Sequence, residues 1–214
     1  MTTQLTISNG ALGFLGERSL VTTADATEPA RVVSSFYSKA VEYCLEQGHW
    51  KFAERRALLS PSGTEIPTFG RANAFAKPTD YVRVNALCSD EYFTASVTDI
   101  EDVGGFWYSD LDELYLKYVS NHTSYGLNLD LWPESFVVYV ELYLAVLAAP
   151  RIAPNKKIEN IQAPGGIGLE QAKRNALAKD AVSGPTQFLP SGRWVRARSK
   201  NRNNRTSSTS LYGS

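Results

Sequence analysis

Histidine and cysteine are scarce in this chain, and their scarcity argues against several kinds of site. The 214 residues include two histidines, His49 and His122, and two cysteines, Cys44 and Cys88. Neither histidine has a cysteine, a histidine or a carboxylate at the spacing of a metal-ligand set, and two cysteines do not suggest a disulfide framework. We therefore expect no bound metal, no cofactor and a reducing place of synthesis.

The usual catalytic motifs are also missing. The glycine-rich stretches at 104–105 and 165–168 lack the lysine of a phosphate-binding loop, and no Gly-x-Ser-x-Gly motif is present. Glycoside hydrolysis needs two carboxylates across a cleft. The acidic turns of residues 99–113 supply candidates, Asp110 and Glu113 among them, but acids in turns usually form a solvated rim. The sequence favours a protein that is not an enzyme and leaves a cell-wall hydrolase as an alternative.

Long hydrophobic runs are absent as well. The longest, residues 136–150, contains Glu141, and we expect it to be too short and too polar to span a bilayer. Residues 1–14 have no basic region before their apolar side chains, so they do not predict a signal peptide. We expect no association with a membrane.

The net charge of zero hides an uneven distribution. Residues 193–205 carry six basic side chains and no acidic one, which leaves residues 1–192 with 16 basic and 22 acidic side chains. Such a segment can bind the phosphates of a nucleic acid, bind an acidic protein surface, or stay in solvent, and charge alone does not decide among these. The basic side chains and the aromatic anchor beside them are Arg193, Trp194, Arg196, Arg198, Lys200, Arg202 and Arg205.

Apolar spacing predicts helices at both ends of the chain. A short helix over residues 4–16 is closed by Gly16, and an amphipathic helix over 28–47 is closed by Gly48. A helix from Trp132-Pro133, with proline at its first position, continues to Pro150, and an alanine-rich helix covers 169–182.

The middle of the chain predicts strands. Residues 75–118 alternate apolar and polar side chains between turns, which favours one small antiparallel sheet. The sequence thus predicts an α+β fold, mainly a helical bundle, with an inserted small antiparallel β-sheet and an extended C-terminal arm. The bundle comprises residues 1–56 and 130–184, the β-rich insertion 57–129, and the arm 185–214.

Several short motifs occur in one collinear order. They are "ALGFLG" at 11–16, "HWKFAERR" at 49–56, "AKPTDYVRV" at 76–84, and "WPESFVVYVELYLAVLAAPRI" at 132–152. In this order the chain resembles the tail tubular protein A family, the head-to-tail adaptors of short-tailed and related tailed bacteriophages. The residues that carry the resemblance, or that we expect in the core, are Leu15, Gly16, Asp25, Trp50, Phe52, Pro78, Asp80, Arg83, Trp132, Pro133 and Phe136.

The resemblance implies a structural protein of the virion. It implies a ring of twelve copies between the portal protein and a nozzle or tail tube protein, at the head-tail junction. Genomic DNA would pass through the ring without sequence-specific binding, and the ring would help to retain and eject the genome. The bundle would face the portal and the β-rich insertion the tail, after synthesis in the host cytoplasm.

Two expectations about surfaces follow from this hypothesis. We expect Trp50 and Phe52 to fix the long helix onto the insertion, and Arg55 and Arg56 to lie at that junction as inter-subunit or sheet-rim contacts. We expect the basic segment to bind the portal. A nucleic-acid-binding module that uses the same segment remains the alternative.

Overall fold

The computed structural model describes residues 2–156 and 158–184, and within them it is an α+β protein, as predicted. The four α-helices are α1 (Gln4–Leu15), α2 (Glu28–Glu46), α3 (Glu134–Ile152) and α4 (Leu169–Val182). The six strands are β1 (Glu54–Leu59), β2 (Asn73–Ala76), β3 (Tyr81–Cys88), β4 (Glu101–Val103), β5 (Phe106–Ser109) and β6 (Leu114–Ser120). The predicted arm lies outside the described residues.

Helix α3 is the centre of the helical part, because it packs against α1, α2 and α4. Its apolar residues are buried around most of its circumference, from Phe136 and Val137 to Ala148 and Ala149. Among the described residues it is also the one helix long and apolar enough to cross a membrane, so the expectation that this run is too short was wrong. Half of its apolar window is buried inside the protein, and this central packing accounts for its composition.

The β-rich part contains two three-stranded antiparallel sheets instead of the single sheet predicted. The first has the strand order β1-β6-β3, and the second has the order β2-β5-β4. A second apolar core, separate from the helical one, lies with these strands and includes Phe75, Trp107 and Tyr118. Sheets of three strands need a hydrophobic face to be stable, and this core buries that face.

Strand β1 corrects the predicted start of the β-rich part. It begins at Glu54, before the boundary placed at residue 57, and pairs with β6 from Glu54–Val119 to Leu59–Leu114. Its sequence, ERRALL, has a weak alternating pattern, and its assignment depends on a partner strand some 60 residues further along. Local pattern could not supply that partner.

Two helix boundaries also differ from prediction. Pro133 is the N-cap of α3 instead of its first residue, and its carbonyl accepts hydrogen bonds from the amides of Phe136 and Val137 at 2.8 and 3.1 Å. Pro150 lies inside the last turn, and the helix continues to Ile152. At the other end of the chain, Gly16 has a φ of 82° and closes α1, as predicted.

The prediction that Gly48 closes α2 as its C-terminal glycine was wrong. The cap of α2 is Gln47 in a right-handed conformation, and Gly48 is absent from the positions of positive φ. A Cβ at residue 48 would instead lie 2.7 Å from Leu177 Cδ2 and 2.8 Å from the Trp50 ring. Glycine is present here because α4 and the indole both approach the backbone closely.

Replacement of Gly48 by alanine should therefore lower the free energy of unfolding by about 1–3 kcal/mol, through overpacking. The matched control is Gly63→Ala, where an added Cβ meets nothing within 4 Å. Urea unfolding of both variants measures the difference. Equal stability of the two variants would contradict the proposed close approach.

Glu141 is a half-buried acid at the contact between α1 and α3. Its carboxylate lies directly against the backbone of Gly10, where a Cβ would collide with it. Burial, with a smaller contribution from Glu134, raises the pKa of Glu141 from 4.5 to about 7. The folded protein therefore binds a proton at Glu141 more tightly than the unfolded chain does.

This raised pKa predicts a stability that depends on pH. The stabilisation is fully present below pH 4.5 and is lost as the pH rises through about 7. Glu141→Gln should raise the free energy of unfolding by about 1–2 kcal/mol at pH 8, allowing for solvent screening of a partly exposed group, and by much less at pH 5. Denaturant unfolding at both pH values tests this, with the exposed Glu42→Gln as control. A variant that gains no stability at pH 8 relative to pH 5 would refute the prediction.

Candidate functional site

The chain crosses between its helical and β-rich parts twice, and both crossings meet at one joint. The first crossing runs from Trp50 to Arg55, and the second runs from Ser120 to Trp132. We use "the joint" for these two segments together with Asp80, Arg83 and Phe136, which contact them or the end of α2.

The aromatic half of the joint surrounds Phe136 of α3. The Phe136 ring centroid lies 4.8 Å from that of Trp50, 4.9 Å from that of Phe52 and 4.9 Å from that of Trp132. Trp50 is fully buried, as predicted, and Phe136 and Trp132 are buried with it. Edge-to-face and tilted contacts of this kind stabilise aromatic clusters beyond their burial.

Both buried indoles of the joint have hydrogen-bond partners. The Nε1–H of Trp50 donates to the carbonyl of Cys44 at 3.0 Å, and that of Trp132 donates to the carbonyl of Gly126 at 2.8 Å. The Cys44 carbonyl belongs to the last turn of α2, where it also accepts the amide of Gln47 at 3.3 Å, so the indole supplies a second donor at the helix end. Trp50 therefore fixes the end of the long helix, which explains an indole two residues after Gly48.

The polar half of the joint is a network around Asp80. Its carboxylate accepts hydrogen bonds from Arg55 Nη1 at 2.8 Å, Tyr118 Oη at 3.0 Å and the hydroxyl of Ser120. Its carbonyl accepts the amide of Asn121 at 3.0 Å. Residues of β1, of β6 and of the second crossing thus converge on one side chain.

The network keeps Asp80 charged although it is buried. Burial acts to raise its pKa, but hydrogen bonds from Ser120, Arg55 and Tyr118 outweigh burial and leave the pKa below its ordinary value of 3.8. The same contact raises the pKa of Arg55. A lowered carboxylate pKa suits a permanent ion pair and not a general acid at neutral pH.

Arg83 connects β3 to the helical part. Its Nη1 donates to the carbonyl of Glu46 at 3.0 Å, at the last residue of α2. A cation at this end of a helix also interacts favourably with the helix dipole. Near it, His49 Nδ1 lies 2.6 Å from Asn85 Oδ1, so this histidine has a structural partner.

The other predicted motif residues have local roles outside the joint. Leu15 is buried in the helical core, and Asp25 accepts the amides of Val21 and Thr22 at 3.0 and 3.3 Å in the turn before α2. The carbonyl of Pro78 accepts a hydrogen bond from the amide of Tyr81 at 3.1 Å, in the turn that leads into β3.

The two arginines at residues 55 and 56 differ in availability. Arg55 is committed to Asp80 within the chain, and its guanidinium lies 5.6 Å from the Tyr125 ring. Arg56 leaves 65% of its side chain exposed and lies 3.5 Å from Glu54. Arg56 is therefore the one of the pair that keeps a largely solvent-facing guanidinium. The predicted portal-binding residues, from Arg193 to Arg205, lie outside the described residues.

Arg71, which the sequence did not identify as a site residue, forms ion pairs with acids of residues 99–110. Its guanidinium pairs with Asp99, with Asp110 at 3.0 Å and with Glu101 at 3.3 Å. Hydrogen bonds from the Ala72 amide and then from Arg71 lower the pKa of Asp110. A general acid needs a raised pKa, so this arrangement does not favour hydrolysis through Asp110. Arg71 is the lone cation between residues 57 and 76, a signal that could have identified it.

The part of the chain that the structure describes has no group of three or more histidine, cysteine, aspartate or glutamate side chains able to hold a metal. Both cysteines are buried, and burial raises the pKa of each thiol. No family model matches the chain, and no curated protein matches it either.

Removal of the Asp80 carboxylate should greatly lower the free energy of unfolding. Asp80→Ala leaves the partly buried Arg55 and two hydroxyls without an acceptor and should cost about 2–4 kcal/mol. Asp80→Asn keeps the shape, removes the charge and should cost less. Chemical denaturation of both variants tests this ranking, with the exposed Asp112→Asn as control.

The pH dependence of the same variants gives an independent check. Because the folded pKa of Asp80 is lowered, its stabilisation is present above pH 3.8 and is lost as the pH falls through the folded pKa. The wild type should therefore lose its advantage over Asp80→Asn in acid. An advantage that stays constant down to the lowest pH at which the protein folds would contradict the network.

Proposed function

We propose that the protein is a phage head-to-tail adaptor that assembles as a ring between the portal and the next tail component. In this role it extends the DNA channel and helps to retain and eject the genome. The proposal makes it a structural protein of the virion without catalytic activity. Its partners are further copies of itself, the portal protein, and a nozzle or tail tube protein, and genomic DNA passes through its channel without sequence-specific binding.

The observation that carries the proposal is the convergence of the motif residues on the joint. Trp50 and Phe52 come from one motif, Asp80 and Arg83 from a second, and Trp132 and Phe136 from a third, across more than 80 residues of chain. Each has a defined partner there. Because the motif residues meet at one place, the motifs support one structural feature together. The resemblance to the adaptor family likewise depends on the motifs as a set.

The division of the chain into two cores supports the proposal further. A subunit between two different neighbours needs two different end surfaces and a firm connection between them. The helical part and the β-rich part have separate apolar cores. The joint connects them through aromatic packing and through the hydrogen bond from Arg83 to the end of α2, and a partly buried ion pair between Arg55 and Asp80 holds the two crossings together. A ring also needs two unlike side surfaces, since its contacts are heterologous.

The charge distribution is compatible with a conduit for DNA. Residues 54–120 hold 11 acidic and 6 basic side chains, so almost all of the negative excess outside the arm belongs to the β-rich part. An acidic wall repels phosphate and permits rapid passage, whereas a basic wall would retain DNA.

Deletion of residues 193–214 tests the portal contact. Most side chains of this segment are basic or polar and cannot form a core, so the truncated protein should stay folded while its binding to the portal protein of the same phage is lost. Co-sedimentation with portal rings, and electron microscopy of the product, measure binding and ring symmetry. The matched control is deletion of 206–214, which keeps all six basic side chains.

Normal assembly of the longer deletion onto portals would refute the role of the arm. If the truncation instead removes a steeply salt-dependent affinity for DNA and leaves portal binding intact, the alternative of a nucleic-acid-binding module replaces it. Absence of any ring with the full-length protein would refute the adaptor itself.

A further inference from the structure

The loop between β1 and β2 displays apolar side chains to solvent. Phe69 is 89% exposed, Ile66 is 73% exposed, and Val103 of the edge strand β4 is 54% exposed. Together with Pro67 and Tyr108 they line an open groove of about 260 Å³. We call this the β-loop surface. Isolated exposed apolar residues are ordinary, but several around one groove indicate a contact surface.

The loop that presents these residues is held in place at several points. The amide of Ser62 donates to the carbonyl of Ala74 at 2.7 Å, and the Ser62 hydroxyl accepts the Glu65 amide at 3.2 Å. Beyond the apolar tip, the Ala72 amide donates to Asp110 at 2.9 Å. The chain therefore fixes both ends of a segment whose apolar tip, among the described residues, is largely exposed. A loop that is ordered before binding loses less entropy when a partner docks.

A fourth anchor also contributes charge. Tyr108 Oη donates to Glu65 at 3.1 Å, so Glu65 lies on the same groove as Phe69. Arg71 has three carboxylate partners and only one positive charge, and Asp99, Glu101 and Asp110 are 77%, 61% and 59% exposed. These four acids and one arginine give the rim of the groove an excess of three negative charges.

We propose that the β-loop surface is a docking site for a basic protein partner that carries an apolar pocket or apolar side chains between its cations. Phe69 and Ile66 are the apolar anchors, and the carboxylates around Arg71 attract the partner and set its orientation. Aromatic anchors supply most of the affinity in such contacts, and rim charges mainly supply rate and selectivity. In the adaptor proposed above, this partner would be the tail component, and only that identification depends on the proposed function.

Other occupants fit the surface less well. The β-rich part of a second copy would be a poor occupant, because residues 54–120 carry five more acidic than basic side chains. Contact between two such parts would place like charges together. Nucleic acid is disfavoured for the same reason, since its phosphates would face the carboxylates.

Fluorescence anisotropy with three labelled peptides tests the proposal on the full-length protein. The first peptide alternates lysine with phenylalanine and leucine, the second replaces its apolar residues by serine, and the third replaces its lysines by glutamate. We expect the first to bind about tenfold more tightly than either control, and more weakly as salt increases. Phe69→Ser and the double variant Asp99→Asn/Glu101→Gln should each weaken binding about fivefold or more.

The control variant is Val21→Ser, which removes an equally exposed apolar side chain from a different loop and should leave binding unchanged. Circular dichroism confirms that the variants stay folded, which the exposure of each replaced side chain leads us to expect. Equal binding of the three peptides, or binding that Phe69→Ser does not change, would overturn the docking site.

Self-association that Phe69→Ser abolishes in sedimentation would also overturn the proposal, in favour of a second copy. The experiment contains no portal protein, so its outcome is independent of whether rings form on portals. Failure of the adaptor proposal and failure of the docking site are therefore distinguishable.

Discussion

The buried carboxylate of Asp80 is the constraint on which the connection between the two parts of this protein depends. A charge in a low-dielectric setting is costly unless its partners replace water, and Asp80 finds them in Arg55, Tyr118 and Ser120. These donors come from strands that pair only after the chain has folded back on itself. The network is satisfied in one register of β1, β3 and β6, so it selects that register against slipped alternatives.

The aromatic cluster at Phe136 acts on the same two crossings by a different kind of force. Packing of Trp50, Phe52 and Trp132 around one ring is strong but tolerant of small rotations, whereas the ion pair and the indole hydrogen bonds are directional. Apolar packing therefore brings the crossings together, and the polar contacts fix their orientation. The proposed adaptor, which has to keep two unlike end surfaces in a constant relation, would need both.

Charge is managed separately in the β-rich part. Arg71 forms ion pairs with Asp99 and Asp110, and Lys77 forms one with Asp102. These pairs join turns that are distant in sequence and leave most of each carboxylate exposed. The same contacts that stabilise the turns thus leave a negative rim beside an apolar loop tip. Structure and surface chemistry are coupled at this place, because the anchors of the loop are also its charges.

The sequence by itself determined the elements whose signals are local. The helices at 4–15 and 169–182, the amphipathic α2 and the glycine that closes α1 follow from spacing and capping within one segment. The burial of Trp50 and the α+β class were predictable for the same reason. Only the tertiary structure decided the existence of β1, the division into two sheets, the role of Gly48 and the partners of Asp80 and Arg71. Each of these depends on a strand, helix or side chain that lies many residues away. The free energy of such contacts is set by which surfaces meet, and the pattern within a single segment does not encode which surfaces those are.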